Sequence, residues 1–233
     1  MRFLTIVFGL AMATSVSAAY AHFPYVVPKA EGAKVEVVFS DSLEADKKVP
    51  IDRISKTTLF WVNATGKPIP LDWTKGEHSL LADLPGREAQ VIGGVSDYGF
   101  HQSKHTQNKP VWLKYYPKAI LGSVSASETA RLGDKVPLEI LPVVSGGFIT
   151  FQARLKGKPL ADAEFGVLVP GEPAGQKITA DEKGLLAVRF DKPGRYGVRV
   201  AYFEPSVGEL DGHKYEEIRH YATLVLDFVP SGR

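Results

Sequence analysis

The stretch KPGRYGVRVAYF, Lys192 to Phe203, carries a strong strand signal. Tyr196, Val198, Val200 and Tyr202 occupy every second position. Successive side chains of a strand point to opposite faces, so this spacing puts four apolar groups on one side. The Pro193-Gly194 pair supplies the turn that feeds the strand. The same period returns in HYATLVLDF, where His220, Ala222, Leu224, Leu226 and Phe228 share a side. In EFGVLV, Phe165, Val167 and Val169 alternate inward, and GFITFQARL reaches that segment through the turn Gly157-Lys158-Pro159. ITADEKGLLAVRF reads as a hairpin turning at Asp181 to Gly184, with Leu186, Val188 and Phe190 on one face. These strands suffice for an immunoglobulin-like sandwich.

The first half repeats the pattern less regularly. KVEVVF aligns Val35, Val37 and Phe39, and TTLFWV is β-branched and aromatic. REAQVIGGV and PVWLKYY follow, separated by Gly, Pro, Asp and Lys. KGEHSLLADL could form at best one or two helical turns. The expectation is an all-β chain of two immunoglobulin-like or transthyretin-like sandwich domains, residues 22–130 and 131–233. The small, polar segment SVSASETARLGDK marks the join.

The chain begins with a positive residue, Arg2, then an apolar run from Phe3 to Ala13. Ala19-Tyr20-Ala21 matches a signal-peptidase pattern, so residues 1–21 read as a cleaved signal peptide; Val16-Ser17-Ala18 offers an alternative site. That apolar run is too short to span a bilayer, and no later run is long enough, so no membrane span is expected in the mature chain. Cleavage after Ala21 removes one of 28 basic side chains and none of 26 acidic ones, leaving a net charge of +1. With no basic cluster, a nucleic-acid partner is not expected. The chain has no cysteine, which excludes disulfides and thiolate metal sites. An apolar share of 44% argues against disorder.

AHFPYVVP at the mature start, PVWLKYYPKAI in the middle, and VPLEILPV, GKPLADAEFGVLV, TADEKG and KPGRYGVRVAY in the second half occur together. This combination resembles the DUF4198-type periplasmic proteins, over nearly the whole mature chain. The resemblance implies an exported protein with a transthyretin-like second domain. Some members, the NikK-like proteins, are periplasmic components of nickel or cobalt uptake. Carried to matching positions, the resemblance points to His22 and, through RHYATLVL, to His220. It implies a periplasmic location and, as partner, a membrane metal transporter or an outer-membrane receptor. The tryptophan-rich closing segments associated with the nickel-uptake members are missing here.

Cleavage after Ala21 would make His22 the first residue. Its α-amine and imidazole could then chelate one metal ion, and a second histidine would complete three nitrogens, a histidine brace. Nitrogen donors favour copper(II) or nickel(II) over calcium or magnesium. His220, on the inward face at the expected start of the closing strand, is the first choice for the third ligand. His101 and His105, spaced H-x3-H in YGFHQSKHTQNKP, are the reserve, placed on an exposed loop by the surrounding Gly, Gln, Ser and Asn. His213, in the turn of LDGHKYEE, is a weaker candidate, and His78 reads as a surface residue. Asp97 could orient a histidine from the second shell. The expected cofactor is a divalent transition metal: nickel, cobalt or copper.

Nucleophilic chemistry finds no motif: G-x-S-x-G, a P-loop and H-E-x-x-H are all missing. The leading expectation is therefore a non-catalytic metal-binding protein for uptake or delivery. The competing ones are a copper mono-oxygenase using the same brace, and a metal-free module binding polysaccharide or protein. Trp61, Trp73, Trp112, Tyr115 and Tyr116 are the aromatics that such a module could display, although core packing accounts for one side of them and ordinary surface for the other.

Overall fold

The computed structural model describes residues 22–29, 34–63, 65–86, 91–122, 131–145, 148–172, 175–188, 190 and 192–229. The expected signal peptide, residues 1–21, and the first part of the expected interdomain segment, residues 123–130, lie outside them. The strands of the first half are β1 (Phe23–Pro28), β2 (Lys34–Ser40), β3 (Thr57–Val62), β4 (Pro68–Leu71), β5 (Thr74–Lys75), β6 (Ser79–Asp83), β7 (Val91–His101) and β8 (Val111–Ile120). Those of the second half are β9 (Leu138–Ser145), β10 (Phe148–Leu155), β11 (Lys158–Pro159), β12 (Glu164–Leu168), β13 (Gln176–Thr179), β14 (Leu185–Val188), β15 (Gly194–Leu210) and β16 (His213–Phe228). Three short 3-10 turns are the only helical elements among the described residues, and the fold is an all-β sandwich.

Among the described residues the strands form three sheets. The longest has eight, ordered β13-β12-β15-β16-β8-β7-β3-β4. It draws strands from both halves, because β16 pairs in parallel with β8 from Glu217↔Val111 to Leu226↔Ile120. A four-stranded sheet, β1-β2-β6-β5, covers one face, and β9, β10, β11 and β14 cover the other. Two cores result, one on each side of the long sheet. Along β8, Val111, Leu113, Tyr115 and Ala119 enter the core under β1 and β2. Tyr116 and Ile120 enter the opposite core, with Phe151, Phe165 and Leu224. Strand β16 divides the same way, Val225 to one side and Leu224 and Leu226 to the other. Fully burying each such apolar side chain contributes about 1.5–3 kcal/mol.

Polar links tie the layers together. The Thr223 hydroxyl donates to the Pro24 carbonyl at 2.7 Å, fastening β1 to the long sheet. Arg195 binds Asp227 at 2.8 Å and donates to the Pro28 carbonyl at 2.6 Å. Inside the second core, buried Lys118 meets Glu139 at 2.9 Å, and the Leu132 amide donates to the same carboxylate oxygen at 2.7 Å. Burial pushes the Lys118 ammonium below its ordinary range, and the Glu139 charge opposes that shift.

Three local expectations need correction. KGEHSLLADL holds strands, not helical turns: Leu80 and Ala82 are buried in β6 while Leu81, between them, is 36% exposed. ITADEKGLLAVRF is not a hairpin. The turn exists, with Asp181 accepting from the Lys183 and Leu185 amides, both at 2.8 Å. Its arms part, however: β13 joins β12 in the long sheet and β14 joins β10 in the other. The turn is thus a corner of the sandwich. His220 also does not open a strand, since β16 begins seven residues earlier at His213.

Candidate functional site

His22 immediately precedes β1, whose first residue, Phe23, pairs with Ser40 at the end of β2. That register brings His22 against the connection between β2 and β3. There its Nε2 lies 2.8 Å from Asp46 Oδ2. The hydrogen bond from His22, followed by one from the Lys48 amide, holds the Asp46 carboxyl below the usual carboxylate range. An ionised carboxylate can only accept, so Nε2 carries a proton and donates it. In the neutral ring this leaves Nδ1, the nitrogen nearer the backbone, with a free lone pair.

His101 ends β7 and pairs with Val111 of β8. Its Nε2 lies 2.9 Å from the Ser103 hydroxyl. His105 belongs to the 3-10 turn Lys104–Thr106 that follows. Thr106 holds this turn, its hydroxyl lying 2.9 and 2.8 Å from the Ser103 and Lys109 carbonyls. Gln107 and Asn108 then take positive φ angles of 56° and 59°, which return the chain to β8. Burial first, then the charges of Arg53, His105 and Arg219, push the His101 imidazole below its ordinary range. The ring is therefore neutral near pH 7.

These three histidines line one open cleft of about 780 Å³. A row of rings connects His22 to His101. The His22 and Phe39 centroids are 5.8 Å apart, Phe39 and Tyr98 are 5.9 Å apart, and Tyr98 meets His101 edge-on at 5.9 Å. Tyr115 and Tyr221, stacked at 5.4 Å, complete the aromatic wall. Glu217 contributes a carboxylate, already held by Arg219 at 2.7 Å and Lys109 at 3.1 Å. Lys48 and Arg53 add two further cations.

His220 does not join this group. Its neighbour Tyr221 faces the cleft, so His220 points to the opposite face of the sheet, and it is only 5% exposed. Both ring nitrogens are engaged: Nδ1 with the Tyr116 hydroxyl at 2.8 Å and Nε2 with Glu204 at 3.0 Å. The expected reserve pair, His101 and His105, lines the cleft with His22, and His220 does not. His213 stacks on Phe100 at 4.6 Å and His78 sits beside Glu77 at 3.3 Å, both outside the cleft. Asp97 orients no histidine, because it accepts from the Trp112 indole at 2.6 Å. Tyr116 is a core residue, and the Trp73 indole donates to the Thr57 carbonyl at 2.8 Å.

Among the described residues, no three His, Cys, Asp or Glu side chains stand close enough together to hold an ion. A brace does not require that, since it takes two imidazoles and one backbone amine. His22 and His101 line the same cleft but are linked through Phe39 and Tyr98, and Arg53 and Arg219 oppose a bare dication. Asp46, Tyr98 and Arg53 were not anticipated from the sequence. Asp46 lies in EADKKVP, a loop with no periodicity, and only the β1–β2 register places it beside His22.

The architecture and the cleft define an all-β sandwich protein with a histidine-lined, aromatic-walled cleft on one face of its central sheet. Residues 19–204 match the family described as a domain of unknown function, DUF4198, and the chain belongs to that family. No curated protein matches the chain. Among solved structures, a two-domain fibronectin type III segment from chicken tenascin is similar at 16% identity, over 87% of this chain and 95% of that one, with a TM-score of 0.21. No helix among the described residues is long and apolar enough to cross a membrane.

Proposed function

We propose that the protein is an exported, non-catalytic carrier of a divalent transition metal, binding copper(II), nickel(II) or cobalt(II) in the cleft for uptake or delivery. Its location is the periplasm, and its partner is a membrane metal transporter or outer-membrane receptor. The observation that carries this reading is the Asp46–His22 contact at 2.8 Å. Metal-ligating histidines commonly donate their second nitrogen to a carboxylate, which fixes the ring and raises its basicity. With the chain cleaved after Ala21, the His22 amine and Nδ1 would bind the ion, and His101 would supply the third nitrogen, with His105 at the rim. A bound ion would be the cargo.

Three proteins test the reading: one starting at His22, one carrying His22→Ala, and one retaining a single residue before His22. The alanine variant keeps the amine and loses the ring; the extended one keeps the ring and moves the amine. Isothermal titration with copper and nickel should give a sharp loss of affinity in both. Ligand nitrogens must be deprotonated, so affinity should also fall as pH drops below about 6.5. Equal affinities across the three proteins would refute the brace.

A further inference from the structure

Four basic side chains line the cleft, Lys48, Arg53, Lys109 and Arg219, and their counter-charges are unevenly shared. Lys109 and Arg219 divide Glu217 between them, at 3.1 and 2.7 Å. Asp46 interacts with the Lys48 charge and accepts from the Lys48 amide at 2.8 Å. Arg53 differs. Among the described residues it forms no ion pair, and Asp52, the carboxylate next to it in the chain, binds Lys75 at 2.6 Å instead. The Arg53 Nη1 donates to the neutral Tyr98 hydroxyl at 2.7 Å. A guanidinium carries five N–H donors, so the rest of this exposed fork is open to a ligand. At about 780 Å³ the cleft lies in the range, about 300–1,000 Å³, of sites that enclose small organic molecules.

The wall beside Arg53 is aromatic. Phe39, Tyr98 and Tyr115 form a triangle with centroids 5.9 to 6.1 Å apart, and Tyr115 meets the other two edge-on, at 73° and 76°. All three line the cleft, and Tyr98 belongs both to the triangle and to the Arg53 contact. Aromatic rings favour edge-to-face or offset packing at centroid distances of about 4.5–7 Å, so one more ring against this wall would continue the same packing. We propose that the cleft binds a small aromatic carboxylate, its acid group on Arg53 and its ring against Phe39, Tyr98 and Tyr115. A guanidinium meets a carboxylate through two parallel N–H bonds. The Tyr98 hydroxyl accepts from Arg53 and keeps its own proton to donate to the same acid group. The rings hold water off one side of the ion pair and so strengthen it. The binding involves no metal and stands independently of the metal reading above.

The test uses the protein starting at His22, with EDTA present to keep metals out of the measurement. Equilibrium dialysis compares three probes: 2-naphthoate, the neutral 2-naphthylmethanol, and acetate, which has the charge without the ring. The expected result is one naphthoate retained per protein, about tenfold or more tighter than either control. Arg53→Gln should remove that advantage and leave the affinity for the alcohol unchanged, which also shows that the cleft is still formed. Arg53→Lys keeps the charge without the fork and should restore part of the advantage. The Arg53 side chain is exposed, so both variants should fold, and circular dichroism checks this. Equal retention of naphthoate and the alcohol would overturn the acid contact. Equal retention of naphthoate and acetate would overturn the ring contact. Naphthoate retained undiminished by Arg53→Gln, or not retained at all, would overturn the inference, and none of these results bears on metal binding.

Discussion

Asp46 sets which nitrogen of His22 is available, and this gives it a role that a surface loop carboxylate does not ordinarily have. Asp46→Asn keeps the size and removes the charge that fixes the ring. Losing such an outer partner lowers metal affinity by about 10–100-fold, which titration of the variant with copper should show. His220 makes the complementary case of a histidine used for structure. Burial lowers its affinity for a proton, and the Glu204 contact only partly offsets this. His101 is shifted in the same direction. A histidine with a depressed folded pKa binds protons more readily when unfolded, so stability rises with pH across its titration. Stability should therefore be full above pH about 6.5, the unfolded value, and decline as pH falls toward the lower folded values. The carboxylates Asp46, Glu204 and Glu217 are also depressed, and their loss belongs to a window below pH about 4.3. Thermal melts between pH 7.5 and 5 should show the decline, and His220→Gln should reduce its slope. An unchanged slope in that variant would assign the effect elsewhere.

Strand β15 begins with a feature typical of immunoglobulin-like sandwiches. The buried Tyr196 ring stacks on Phe190 at 3.9 Å, and its hydroxyl donates to the Lys192 carbonyl at 2.8 Å. Such a tyrosine corner fastens the entry to a strand. Tyr196→Phe keeps the stacking and removes the hydrogen bond, so chemical denaturation should show a loss of about 1 kcal/mol. The strand itself was legible, because Tyr196, Val198, Val200 and Tyr202 alternate into one core. The same holds for Val35, Val37 and Phe39 on the other side. The failures share a cause. Alternation shows which face is buried but not which strand lies alongside, so β13 and β14 looked like partners across their turn. The early part of β16, HKYEEIR, extends beyond the well-packed core and carries charge at its outward positions. With little apolar alternation to mark that part, the sequence pattern places the start of the strand at His220.

The parallel contact between β16 and β8 joins segments about a hundred residues apart, and no local pattern announces a pairing of that range. It is nevertheless what makes the cleft. His22 arrives with the covering sheet, His101 and His105 with the connection between β7 and β8, and Arg219 and Tyr221 with β16. The sequence therefore showed which histidines could serve but not which of them meet. His220 and Tyr221 are adjacent in the chain and sit on opposite faces of the long sheet. The proposed metal binding requires His22 and His101 to act on one ion. Electron paramagnetic resonance of the protein starting at His22, loaded with one equivalent of copper(II), reads the nitrogens bound to the metal. It should show nitrogen splittings that simplify in His101→Ala and change more completely in His22→Ala. Identical spectra from all three proteins would contradict it.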